Sequence, residues 1–153
     1  MTKLKQLNPN YPNGDCQRTV FACLLGYDNP EMVPNFTEMK NYEKDWVKNI
    51  NEWLDSKGLI YTEMTFDNFS KSPFVPAGLC TIVGKSPRGD YNHIVIGKIK
   101  YRENGDRELI YVWDTSPYHN GKFLDDIKYI GFLSQKIDFN MINVLGKLNK
   151  KDK

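Results

Sequence analysis

Two histidines, His93 and His119, and three cysteines, Cys16, Cys23 and Cys80, are all the imidazole and thiol that 153 residues offer. Their spacing contains no Cys-x-x-Cys and no His-x-x-x-His pair, the patterns that mark structural zinc sites, so neither a metal nor another cofactor is expected. An odd cysteine number provides no disulfide framework and fits a reducing compartment. No apolar run approaches the ~18 residues of a membrane span, and the first residues hold no apolar segment of signal-peptide length. The expectation is a cytoplasmic protein without a membrane partner. Charge is nearly balanced at +2, and the basic residues are dispersed apart from the stretch Lys147 to Lys153, so nothing points to nucleic acid. Gly84-Lys85-Ser86 lacks the first glycine of a phosphate loop and runs towards a strand, which removes that reading. Internal repeats and low-complexity linkers are missing as well.

What remains is a globular composition, 40% hydrophobic and 13% aromatic, enough for one domain with a sizeable core. Residues 1–146 are expected to form it, with 147–153 a solvated basic tail. A first helix is expected over about Asp15 to Leu25, stopped by Gly26. Asn29-Pro30-Glu31 reads as a cap, a proline at the first helical position and a first-turn acid, hence a short helical turn. Trp46, Val47, Ile50, Trp53 and Leu54 recur at helical spacing and predict a second helix over about Tyr42 to Ser56, ended at Gly58. Strands are expected at about Leu59 to Phe66, Leu79 to Gly84, His93 to Tyr101, Glu108 to Asp114 and Lys128 to Leu133. Helices followed by an antiparallel sheet make an α+β fold.

Cys16 lies in Gly14-Asp15-Cys16-Gln17, where turn residues give way to the first helix. A helix start carries partial positive charge and unpaired N–H groups, which favour a thiolate and can hold an oxyanion. Cys23, inside that helix, and Cys80, in an alternating strand, read instead as core residues. A nucleophilic thiol needs a base and an orienting group. His93 opens the β-branched run His93-Ile94-Val95-Ile96, and Asp114 closes Leu109-Ile110-Tyr111-Val112-Trp113. The intervening Asn104-Gly105 is a hairpin signal that makes the two strands antiparallel neighbours. Counted outward from the turn, His93 and Asp114 miss direct opposition by two residues, an offset that a register shift or bulge is expected to absorb. Taken singly, each residue has a bland reading: a buried thiol, a hydrogen-bonded strand histidine, a turn-forming aspartate. Their joint order is what points to chemistry.

A helix opened by Cys, a strand opened by His and a strand ended by Asp resembles the papain-like cysteine peptidases, most of all the bacteriocin-leader-processing peptidases and small phage or bacterial relatives. The likeness covers Gln6 to Phe36, Lys85 to Gly97 and Val112 to Gly121; residues ~40 to ~80 have no counterpart. It implies N-terminal helices packed on an antiparallel sheet and a cysteine-dependent hydrolase acting on a protein, peptide or amide. Cys16 is then the nucleophile, His93 its base and Asp114 the orienting acid. It further implies an oxyanion donor upstream of the cysteine, either Gln6, if the Pro/Asn segment between loops out, or Asn10. Such a donor is worth roughly 3 kcal/mol. Substrate contacts are expected from Asp15 and Gln17 beside the cysteine, from Arg88, Tyr91 and Asn92 before the histidine, and from His119. The blander reading of His119 is a solvated loop residue, and a rival base is its third possibility. Lys71 to Gly78 and Lys85 to Tyr91, punctuated by Pro and Gly, are the expected rims of the cleft. Two alternatives stand beside it: an acyl transferase that uses the same residues, and a catalytically idle papain-like module that binds a protein or small molecule, such as a phage-encoded factor acting on a host protein.

Overall fold

The computed structural model describes residues 1–10, 14–39 and 41–136. The expected tail at 147–153 lies outside them. Chain order is helix α1 (Cys16–Leu24), 3₁₀ turns Pro30–Met32 and Phe36–Glu38, helix α2 (Tyr42–Asp55), strand β1 (Leu59–Thr65), helix α3 (Phe66–Lys71), then β2 (Gly78–Lys85), β3 (Asn92–Tyr101), β4 (Arg107–Trp113) and β5 (Tyr129–Gln135). The protein is α+β, built on one five-stranded antiparallel sheet of order β1-β5-β2-β3-β4.

The local signals act as their chemistry dictates. Asn29 accepts from the Glu31 N–H at 2.9 Å and caps the first 3₁₀ turn, with Pro30 in first position. Gly26 and Gly58 take positive φ, 75° and 67°, just beyond the two long helices. At the hairpin Gly105, φ 88°, is left-handed, and Arg102 and Asp106 close the turn through a 2.7 Å backbone bond. Phe66 corrects one expectation: it opens α3 instead of ending β1, because Thr65 accepts from the Asn68 N–H at 3.2 Å and so caps a helix there.

Both faces of the sheet are covered. On one, Val20 and Cys23 of α1 pack on Ile94 and Ile96, while Phe21 and Ala22 join Ile50 and Leu54 of α2 against Tyr61. On the other, Cys80, Ile82, Val95 and Ile130 meet Phe69 of α3, Val75 and Leu124. Double coverage makes Ile94, Val95 and Ile96 a continuous buried run. Cys23 and Cys80 are both buried and free, and burial pushes the Cys80 thiol up to about 12. No helix among the described residues is long and apolar enough to cross a membrane.

Candidate active site

Three elements converge on one point: the start of α1, the start of β3 and the turn after β4. Cys16 is the first residue of α1 and partly exposed. Asp15 stands at the cap position but its carboxylate does not cap. It accepts instead from the backbone N–H groups of Leu7 (3.2 Å) and Asn8 (3.1 Å) and from Gln6 Nε2 (3.4 Å). The Asp15 N–H returns a 3.0 Å bond to the Asn8 carbonyl. This clamp closes the excursion between Asn8 and Asp15, which is how a glutamine ten positions upstream comes to line the same cleft as Cys16. Asp15 was expected to touch substrate; at 2% exposure it does not line the cleft and serves the clamp. Thr115 Oγ1 donates to Gln6 Oε1 at 3.4 Å and turns the amide nitrogen towards Asp15. Asn10 also lines the cleft; residues 11–13 of the expected loop lie outside the described residues.

His93 is buried, and its Nε2 lies 2.7 Å from Asp114 Oδ1. That leaves Nδ1 as the ring nitrogen open to Cys16, which lines the same cleft. Burial works against an imidazolium, but Asp114 and Cys16 together outweigh it and hold His93 up at about 9. Burial likewise opposes the Asp114 carboxylate; His93, the Ser116 N–H and Arg88 overcome this and bring it down to about 2. The bulge exists, between Ile96 and Gly97, but it does not absorb the offset. Trp113 pairs with Ile96, so the next residue, Asp114, continues towards Val95, and the His93 contact is a diagonal one spanned by side chains.

Asp114 is held by more than His93. Oδ1 also accepts from the Ser116 N–H at 2.9 Å, while Oδ2 faces His119 Nδ1 at 3.0 Å and Arg88 Nη2 at 3.4 Å. Arg88 and His119, both expected to meet substrate, back the aspartate, Arg88 while also lining the cleft. His119 does not line the cleft and is not a solvated loop residue: it packs edge-on against Phe123, ring centroids 4.5 Å apart. Asp-x-Ser-Pro-x-His spacing was the available signal, since Ser116 turns the chain back so that the histidine five residues on meets its own strand end.

The cleft measures about 920 Å³ and is walled by Gln6, Cys16, Gln17, Arg88, Tyr91 and His93, with Asn92, Glu63 and Trp46 further along. Asn92 accepts from Lys128 Nζ at 3.0 Å. Gln17 Oε1 and Arg88 Nη1 are buried without a hydrogen-bond partner among the described residues, so the Gln17 oxygen is turned away from open solvent. The rim Lys85 to Tyr91 lies at the cleft, with the Ser86 N–H bonded to the Tyr91 carbonyl at 2.9 Å. Lys71 to Gly78, the other expected rim, does not line it, because α3 carries that segment to the far face of the sheet, where Val75 is core. No group of three or more His, Cys, Asp or Glu suited to a metal ion occurs among the described residues. No protein-family model, curated protein or solved structure matches the chain. The site therefore has to be read from its own residues.

Proposed function

We propose that the protein is a cysteine-dependent hydrolase of a peptide or amide bond, with a papain-like arrangement of helix and sheet. The observation that carries this is the buried imidazole of His93, held by Asp114 at 2.7 Å and lining the same open cleft as Cys16 at the start of α1. In the cycle, the proton that Cys16 gives up rests on His93, and Asp114 fixes the ring and stabilises its charged form. The sulfur attacks the carbonyl carbon, forming a C–S bond. The oxyanion meets the N–H groups at the start of α1, where Gln6 and Asn10 also line the cleft. His93 passes its proton to the leaving nitrogen as the C–N bond breaks, leaving a thioester. Water then adds, gives its proton to His93 and releases the acid as the C–S bond breaks.

A non-selective acyl donor, p-nitrophenyl acetate, tests the cycle. Expected are acetylation at Cys16 by mass spectrometry, nitrophenol release beyond one equivalent per chain, and loss of both in Cys16→Ala and His93→Ala. Acetylation elsewhere, or at Cys16 with a rate unaffected by His93→Ala, would overturn the reading. Acyl transfer separates from hydrolysis by adding a primary amine: an amide product that replaces the acid in proportion to amine identifies a transferase.

A further inference from the structure

Two acids that line the cleft, Glu63 and Asp90, are left unused by this chemistry; Asp90 is exposed, whereas Glu63 is half-buried. It stands two residues after Tyr61 in β1, hence on the same face of the sheet. The Tyr61 hydroxyl lies 2.8 Å from Glu63 Oε2 and 2.7 Å from Thr81 Oγ1. Room for this trio exists because residue 131, paired with Glu63 on one side and Thr81 on the other, is glycine. A Cβ there would sit 2.0 Å from the Tyr61 oxygen and 2.3 Å from Thr81 Oγ1. One carboxylate oxygen of Glu63 is thus anchored from beneath.

No ion pair of Glu63 occurs among the described residues, although Lys44, Lys85, Arg88 and Lys128 line the same cleft. Arg88 is committed to Asp114 and Lys128 to Asn92. Burial raises the Glu63 carboxyl above its ordinary value while the Tyr61 bond draws it down. A half-buried carboxylate without a counter-charge is costly, and a cation arriving from the cleft would offset that cost. Tyr61 packs on Phe21, ring centroids 5.0 Å apart, and Phe21 lies five residues along α1 from Cys16. From helix rise and strand spacing, Glu63 stands on the order of 10–15 Å from Cys16, or about three to four residues of an extended chain.

We propose that the cleft selects a peptide or amide bearing a cationic side chain, of lysine or arginine type, that seats on Glu63 about three to four residues from the attacked carbonyl. This rests on reading the cleft as the substrate cleft. The test is equilibrium binding to the full chain carrying Cys16→Ala, by titration calorimetry. The probes are alanine hexapeptide amides in which lysine, norleucine or glutamate is moved through each position. At one position lysine should bind about tenfold more tightly than norleucine, the scale of a charge-assisted contact. The ratio should fall to about twofold when Glu63→Gln is added. Glutamine keeps an oxygen for the Tyr61 hydroxyl, and a thermal melt checks that this variant is folded. Equal binding of lysine and norleucine peptides at every position, or binding by none, overturns the proposal. So does a preference for glutamate, which would assign the cleft to acidic substrates through its lysines. None of these outcomes depends on a reactive thiol, so the subsite and the hydrolase reading fail or stand separately.

Discussion

At the residue scale the centre of the site is Asp114, whose four acceptor positions are all in use. Removing its charge leaves His93 and Arg88 without their shared counter-ion and weakens the contact to His119, so Asp114→Asn should cost on the order of 3 kcal/mol in urea unfolding. That cost depends on pH. The raised His93 contributes stability that is full below its ordinary 6.5 and lost as pH rises through about 9. The lowered Asp114 contributes stability that is full above its ordinary 3.8 and lost as pH falls towards about 2. The gap between parent and Asp114→Asn should therefore be widest between about pH 4 and 6.5 and narrow on either side; a gap independent of pH would mean that packing, not charge, holds the turn. Arg88 and His119 are positioning residues. Arg88→Ala and His119→Ala should slow Cys16 alkylation severalfold and move its pH profile, with Arg88→Lys restoring part of the rate, whereas a purely structural role would lower the melting temperature and leave the profile in place. Cys16, His93 and Asp114 were legible in the sequence because each sits at an element boundary, and boundaries leave chemical marks: Gly-Asp before the cysteine, β-branched residues after the histidine, Asp-Thr-Ser-Pro at the strand end. The doubled support of Asp114 was not, since it depends on where two loops fold back.

At the element scale, β2 shows how closely the strands and their connections fit. A Cβ on Gly84, the residue paired with His93, would meet the Asp126 carbonyl oxygen at 1.9 Å. The segment holding that carbonyl is itself tied to β2, through Asp125 N–H to the Lys85 carbonyl at 2.9 Å and Lys128 N–H to the Val83 carbonyl at 2.8 Å. Backbone cannot move aside as a side-chain tip can. Gly84→Ala should therefore destabilise by about 1–3 kcal/mol in thermal or urea unfolding; an unchanged midpoint would show that the connection yields freely. Periodicity and caps revealed the five strands to within two residues, as well as α1 and α2, because those signals are local. The short helix Phe66–Lys71 escaped them: six residues are too few for a helical period to emerge from a run that begins with an aromatic residue suited to a strand.

The whole molecule is an α+β fold in which the chain's first residues act as a brace. Thr2 N–H bonds to the Cys23 carbonyl at 3.1 Å, Gln6 N–H to the Thr115 carbonyl at 2.8 Å, and Trp113 Nε1 to the Leu4 carbonyl at 2.7 Å. Lys5 Nζ reaches the carbonyls of Asp114 and Ser116 at 3.0 and 2.9 Å and lies over the Trp113 ring. The segment thus ties the helix of the cysteine to the turn of the aspartate, and deleting residues 1–5 should both lower the melting temperature and slow reaction at Cys16. Neither this brace nor the placement of β5 between β1 and β2 could be read from pattern, because pairings distant in sequence leave no local trace. All the functional inferences return to one unit, Cys16 with His93 and Asp114. It is tested most directly by the rate of iodoacetamide labelling at each cysteine from pH 5 to 9, followed by mass spectrometry on the parent and on His93→Ala. Fast labelling of Cys16 at pH 6 that disappears in His93→Ala, with Cys23 and Cys80 inert, is the expected result. Labelling of Cys16 that rises only in the alkaline range and is indifferent to His93→Ala would contradict it.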